Sequence, residues 1–225
     1  MITHLACVMD GNRRWATRQG QLPWIGHKAG VKTVETVIKF CLHHKISYLS
    51  LYTFSLENFK RSEQEQSYLF NIVIQQAEGY VPQFIEQGVA IRFVGDISLF
   101  PQSVQDICHK VQEQTKAGEH LQVNFLFGYG ARQEIFAATK KFAELVASGA
   151  NLTQKDFESL LWTAGTPDPD LILRTGGVQR LSNFLLYQSA YTEIRFVDTL
   201  WPDLTESEIF DAVTSAVLAQ KNIGK

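Results

Sequence analysis

At 225 residues with 45% hydrophobic content, the chain carries enough apolar material for one sizeable domain with its own core. A formal net charge of −2 excludes the broad basic face on which nucleic-acid binders depend, so any bound anion must be held locally. Cys7, Cys41 and Cys108 show neither CxxC spacing nor even pairing, and no signal pattern or long uncharged apolar run is present. The expectation is a cytoplasmic protein with reduced core cysteines, free to touch a membrane surface but not to span it.

In chain order, Leu5–Met9 reads as a short buried strand that stops at Asp10, followed by Gly11, Asn12, Arg13, Arg14 and Trp15. Ligands of open α/β sheets bind outside the carboxyl ends of strands, so an acid there stands where chemistry is usual. Asn12 is expected to cap a short helix running towards Gly20; its free amides, beside Arg13 and Arg14, would hold an anion such as phosphate. The same residues also fit an ordinary capped helix with solvated arginines. After GHKAG a helix is expected over Ala29–His43, then a core strand over Ile46–Phe54 that ends in the polar cluster Ser55–Arg61. Two strands ending in such clusters suggest two walls of one crevice.

Ser62–Gln87 carries the longest helical pattern, apolar on more than one side, which fits either a central core helix or a wall for an apolar ligand. Pro82 is expected to kink or end it near Gly79. Strands follow over Val89–Val94 and Leu121–Phe127, with a helix from Pro101 to about Lys116 between them and another after GYGARQEI. A short helix starts at Thr153 and Asp156, a strand spans Asp168–Arg174, and TGG brings Arg180 and Ser182 close behind Arg174 as a second anion cradle. Ile194–Val197 forms the last strand, with Glu193 at its start, and a final helix covers about Thr205–Gln220. The alternation predicts α/β architecture in a single domain over 1–225: a mostly parallel six-stranded sheet with helices on both faces. No metal-ligand spacing such as HExxH occurs, the GYG lacks the third glycine of a dinucleotide fingerprint, and no GKS or GKT phosphate loop is present.

MDGNRRWA, GHKAG, FSLEN with Arg61, LILRTGG, RLSNFLLYQ and LWPDL, in this order over nearly the whole chain, resemble the cis-prenyltransferases, bacterial undecaprenyl diphosphate synthases above all. The resemblance implies a Mg²⁺-dependent homodimer with an apolar product tunnel. It would condense isopentenyl diphosphate repeatedly onto an allylic diphosphate, commonly farnesyl diphosphate, with cis double bonds, and release a long polyprenyl product at the membrane for cell-wall synthesis. It implies Asp10 as metal ligand and catalytic residue, Glu193 as the second metal-side carboxylate, and Asn58 at the family's proton-acceptor position. An amide is a poor base, so positioning of substrate or water by Asn58 is the preferred role. Gly11, Asn12, Arg13, Arg14, Trp15 and His27 would surround the allylic diphosphate, Arg174, Arg180, Leu181 and Ser182 the isopentenyl diphosphate, and Ser55, Leu56, Glu57, Phe59 and Arg61 the same pocket.

Some positions depart from the family pattern. Leu22, Pro23 and Trp24 stand in the turn where the family usually carries an arginine, and Arg13 where most relatives have glycine, so Arg13 or Arg18 is a candidate substitute for the missing cation. Val178 and Gln179 follow the TGG in place of acidic and polar residues, and GYGAR replaces NYGGR. Asn222, Ile223 and Gly224 stand where an RxG tail often reaches a neighbouring subunit, with Lys221 as partial replacement. Two other readings are a short-chain cis-prenyl diphosphate synthase and a non-catalytic prenyltransferase-like subunit. The second is disfavoured because Asp10, Arg174, Arg180 and Glu193 are all retained.

Overall fold

The computed structural model describes residues 2–220; the departures at Lys221 to Gly224 lie outside them. The elements run β1 (His4–Val8), α1 (Asn12–Arg18), α2 (Gly26–His43), β2 (Tyr48–Ser55), α3 (Glu63–Glu86), β3 (Val89–Val94) and α4 (Gln102–Thr115). They continue with β4 (Leu121–Tyr129), α5 (Ala131–Ala147), α6 (Gln154–Glu158), β5 (Leu171–Arg174), β6 (Glu193–Phe196) and α7 (Glu206–Gln220). One six-stranded sheet orders them β3-β4-β2-β1-β5-β6, every pair parallel. All strands therefore end on the same side, and β1 lies between β2 and β5.

Alternation along the strands feeds two cores. Leu5 and Cys7 of β1, Leu49 and Leu51 of β2, and Val123 and Phe127 of β4 join residues of α2, α3, α4 and α7 on one face. Ala6, Val8, Leu126 and Ile172 point to the other, against Ala131, Phe184 and Leu185. A strand buried on both faces reads as a continuous apolar run, which is why β1 was visible without alternation. All three cysteines are free and buried, and burial pushes the thiols of Cys7 and Cys108 up to about 12.

Local chemistry departs from expectation at two helices. Gly11, not Asn12, occupies the N-cap of α1; Asn12 is inside the first turn, and its amide donates back to the Met9 carbonyl at 3.2 Å. In α3 the helix does not stop before Pro82 but runs on to Glu86. An interior proline costs about 3 kcal/mol. Here tertiary packing outweighs it, because Val81 is buried and Phe84 packs on the main core beside it. At the N-terminus of α3 Ser62 caps the helix, its Oγ accepting the Glu65 N–H at 3.3 Å.

Candidate active site

β1, β2 and β5 release the chain side by side, and each delivers polar side chains just past its end. A cavity of about 530 Å³ opens there, lined by Val8, Met9 and Asp10, by Tyr52, Ser55, Glu57, Asn58 and Arg61, and by Arg174, Ser182 and Asn183. Seven residues singled out in the sequence thus share one space: Asp10, Ser55, Glu57, Asn58, Arg61, Arg174 and Ser182.

Register explains how Arg174 reaches Asp10. Arg174 pairs with Val8, the last residue of β1, so its side chain lies along the short link to Asp10. One guanidinium nitrogen donates to Asp10 Oδ2 at 3.0 Å, and the other to Ser182 Oγ at 2.8 Å and to the Arg180 carbonyl. Arg14, one turn into α1, approaches Asp10 Oδ1 at 3.3 Å. Two guanidinium groups on one carboxylate leave a net positive charge, and buried Arg174 has a rigid fork suited to a diphosphate. Arg180 itself is exposed at the rim, whereas Leu181 is half-buried against the second core and packs rather than binds.

Gly11 makes the turn from β1 into α1. Its φ is +114°, and a Cβ there would stand 2.9 Å from the Leu200 backbone, so only glycine fits. The first N–H to bond back within α1 is that of Trp15, to the Gly11 carbonyl at 2.8 Å, and the amides ahead of it have no intrahelical partner. Trp15 is placed differently from the expectation. Its indole N–H donates to Asp203 Oδ1 at 2.7 Å, so the ring ties α1 to the Trp201–Asp203 turn and does not line the cavity.

A second charged cluster lies between α1, α2 and α3. Glu65, buried at 3% exposure, has its Oε1 3.3 Å from Arg61, 3.8 Å from Arg13 and 4.0 Å from His27 Nε2. Burial, with Arg61 and Arg13 alongside, lowers His27 to about 3, so its imidazole is neutral at physiological pH. Two arginines against one glutamate again leave positive charge beside the cavity. Glu65 escaped the sequence reading because SEQEQ looks like a solvated first helical turn; its i,i+4 spacing from Arg61 was the available signal.

Asn58 sits in the 3-10 turn Leu56–Lys60, and its Oδ1 accepts the Ser55 N–H at 3.1 Å. Its carbonyl oxygen is therefore engaged, and its NH₂ is the group left for a ligand. Phe59 does not face the cavity; it packs between Phe54 and Phe100, ring centroids 4.9 and 5.1 Å away. Leu56 is half-buried in the same turn and is absent from the cavity wall. Of the four lining residues not foreseen, Val8, Met9, Tyr52 and Asn183, two are polar. Asn183, in the left-handed region at φ +64°, donates to Glu57 at 3.1 Å, and the Tyr52 hydroxyl donates to the Ser182 carbonyl at 3.3 Å. The polar SN pair after RL was the trace of Asn183 in sequence, whereas Tyr52 looked like one more apolar residue of β2.

Met9 also lines a second cavity of about 140 Å³, walled by Val31, Val34 and Ile38 of α2, Ile72, Val73 and Val81 of α3, and Phe93 and Phe125 of the sheet. The polar and apolar spaces meet at this one side chain. The functional alternative for α3 thus gains a physical basis: one of its faces borders a void.

Among the described residues no three His, Cys, Asp or Glu side chains cluster to hold a metal. Glu193 does not join Asp10 within the chain. It pairs with Leu171 at the start of β6, three rungs or about 10 Å from the end where Phe196 meets Arg174, so parallel pairing sends the two carboxylates to opposite ends. Asp10 alone fits a Mg²⁺ ion, which commonly takes one or two protein carboxylates and completes its shell with phosphate oxygens and water.

The prenyltransferase family model, described as undecaprenyl diphosphate synthase, matches residues 8–224. An isoprenyl transferase of Oceanobacillus iheyensis is 40% identical over 215 residues, covering 94% of this chain and 85% of that protein. The ditrans,polycis-undecaprenyl-diphosphate synthase of Photorhabdus laumondii, farnesyl-diphosphate specific by name, is 35% identical, covering 98% and 89%. Lavandulyl diphosphate synthase from Lavandula x intermedia, solved with dimethylallyl diphosphate, superposes with a TM-score of 0.92 at 31% identity, covering 96% and 94%. A probable undecaprenyl diphosphate synthase from Campylobacter jejuni superposes with a TM-score of 0.80 at 35% identity, covering 96% and 95%. With an arginine-rich crevice at the strand ends, an apolar cavity sharing Met9 with it, and likeness over nearly its whole length, the chain belongs to the undecaprenyl diphosphate synthase family of cis-prenyltransferases.

Proposed function

We propose that the chain elongates an allylic diphosphate, farnesyl diphosphate by preference, with isopentenyl diphosphate in cis to give a polyprenyl diphosphate for the lipid carrier of cell-wall synthesis. The observation that carries this reading is the junction at Met9, where a crevice able to hold two anions meets a cavity able to hold hydrocarbon.

Asp10 would hold Mg²⁺ against the allylic diphosphate, and the ion would supply charge neutralisation as the C–O bond ionises. The amides at the start of α1 and the guanidinium groups of Arg13, Arg14 and Arg61 bind that diphosphate and stabilise the negative charge growing on it. Arg174, held by Asp10 and Ser182, orients the isopentenyl diphosphate with Arg180 at the rim. The Asn58 NH₂ positions a substrate oxygen, and the departing diphosphate takes the proton lost in condensation. Burying the product in the apolar cavity returns about 0.8 kcal/mol per methylene and keeps it bound between additions.

No described helix is long and apolar enough to cross a membrane, so product release would occur by peripheral contact. A homodimer is carried over from the resemblance; exposed Phe136 and Tyr191 offer rings for a second copy to cover. A short-chain product is the second reading, favoured by the small apolar cavity. Incubation with farnesyl diphosphate, labelled isopentenyl diphosphate and Mg²⁺, followed by sizing of the extracted products, tests the reading. A ladder of cis-polyprenyl products is expected, and no incorporation with farnesyl, geranyl or geranylgeranyl diphosphate would overturn it.

A further inference from the structure

The apolar cavity is about 140 Å³, close to an engineered cavity that admits one benzene, roughly six carbons. Little more than one isoprene unit fits, so each further addition must drive the hydrocarbon end against a wall. Most of that wall is unyielding: Ile91, Phe93 and Phe125 belong to the sheet, and Val111 to the helix behind it. The remaining boundary is the seam between α2 and α3, and there the lining changes character.

Glu35 of α2 borders this apolar space together with Tyr80 of α3. The Tyr80 hydroxyl donates to Glu35 Oε2 at 3.3 Å across the seam, while Lys39 Nζ donates to Oε1 at 2.6 Å. The Lys39 ammonium holds the Glu35 carboxyl below the usual range, so it is ionised at neutral pH. Tyr80 is itself steadied by stacking on Phe84, ring centroids 5.8 Å apart. The Glu35 side chain is 27% exposed, so the bridge closes the seam where it meets solvent; an apolar chain end can bond neither an ionised carboxylate nor a phenol, and passing them carries hydrocarbon out into water. We infer that the Glu35–Tyr80 bridge is the stop that sets product length in this chain.

The inference rests on the elongation reading above, and it assigns the length determinant to a polar contact between two helices rather than to a bulky core side chain. Two other polar side chains line the space: Thr53 is no such stop, because its hydroxyl already donates to the Leu51 carbonyl of its own strand at 3.1 Å, and no described hydrogen bond joins Gln76 of α3 to α2.

The test compares wild type with Glu35→Ala, Glu35→Gln and Tyr80→Phe, using farnesyl diphosphate and labelled isopentenyl diphosphate. The read-out is the length distribution per product molecule, which does not depend on total turnover. Glu35→Ala is expected to lengthen the principal product by at least one isoprene unit. Tyr80→Phe keeps the ring and the packing, so it guards against misfolding, and should lengthen by less; Glu35→Gln keeps a partner for Tyr80 and should move least. Incorporation with the distribution unmoved or shortened in Glu35→Ala and Tyr80→Phe overturns the inference alone. No incorporation by wild type with any primer overturns the elongation reading, and the inference with it.

Discussion

The crevice around Asp10 and the cavity beyond Met9 are neighbours built on opposite rules. In the crevice, nearly every lining side chain is tied to another: Arg174 to Asp10 and Ser182, Asn58 to the Ser55 amide, Asn183 to Glu57. Geometry there is fixed before any substrate arrives, which is what stabilising a charge that develops during reaction requires. The cavity has a fixed floor of sheet residues and a roof of two helices with a single described side-chain hydrogen bond between those two roof helices, from Tyr80 to Glu35. One region is organised to hold charge in place and the other to admit hydrocarbon. Substitutions in the two should therefore separate rate from product length.

Asp10→Ala gives the largest expected effect. It removes the carboxylate proposed to hold the metal and leaves Arg14 and buried Arg174 without their shared partner. Loss of such a group from a transition-state site costs on the order of 3–4 kcal/mol, a rate decrease of roughly 10²- to 10³-fold. Labelled isopentenyl diphosphate incorporation measures it. Residual product of unchanged length would sharpen the contrast, and a large shift in length would break it.

Asn58 comes next, with about 10²-fold loss expected for Asn58→Ala. The informative variant is Asn58→Asp, which keeps an oxygen for the Ser55 N–H but removes the NH₂ and adds charge beside Glu57. If the NH₂ positions substrate, Asp is at least as damaging as Ala; full activity in the Asp variant would discredit that role. Single-turnover rates of the first condensation distinguish the outcomes.

A third expectation concerns pH and stability. Burial lowers His27 to about 3 and His4, at the opposite end of the sheet, to about 4. Unfolded histidine binds its proton near 6.5, so below that value the unfolded state takes up protons that these folded sites refuse. Stability is full above about pH 6.5 and falls as pH drops towards the folded values. For His4 alone the loss between pH 7 and pH 5 is about 2 kcal/mol, visible in denaturant midpoints. His4→Gln should flatten this dependence, whereas equal stability of wild type at pH 7 and pH 5 would contradict the neutral, buried assignment.

The same contrast explains what was legible in sequence. Asp10, Arg174 and Ser182 stood out because charged and polar residues at the ends of buried strands have no packing reason to be there. The cavity wall did not, since Val34, Val73 and Phe125 are chemically the residues of any core, and only coordinates show which of them border a void. Glu193, carried over from the resemblance as a metal-side carboxylate, lies apart from Asp10 within the chain, because parallel pairing puts the start of β6 beside the start of β5. Trp15 shares its motif with Asp10, yet helical geometry turns it towards Asp203. Pro82 failed as a stop because local propensity is weaker than the packing around it.

The smallest effect belongs to Arg13, the cation that the family resemblance offers as a substitute for an arginine missing near Pro23. Its side chain is half-exposed and its Nε lies 3.8 Å from Glu65, which Arg61 approaches more closely at 3.3 Å. Arg13 is thus the more distant and more exposed of the two arginines facing buried Glu65, so this contact alone gives it the smaller part in stability. If Arg13 instead supplies the charge that Pro23 lacks, Arg13→Gly raises KM for the allylic diphosphate by roughly three- to tenfold and leaves kcat nearly unchanged, as expected for uniform binding. Pro23→Arg in the same chain should then restore KM, while Pro23→Arg alone changes it little. That non-additivity is the signature of one function carried by either position. Additive effects in the double-mutant cycle would mean that Arg13 serves only Glu65, and that the allylic diphosphate is held by Arg14, Arg61 and the amides of α1 without it.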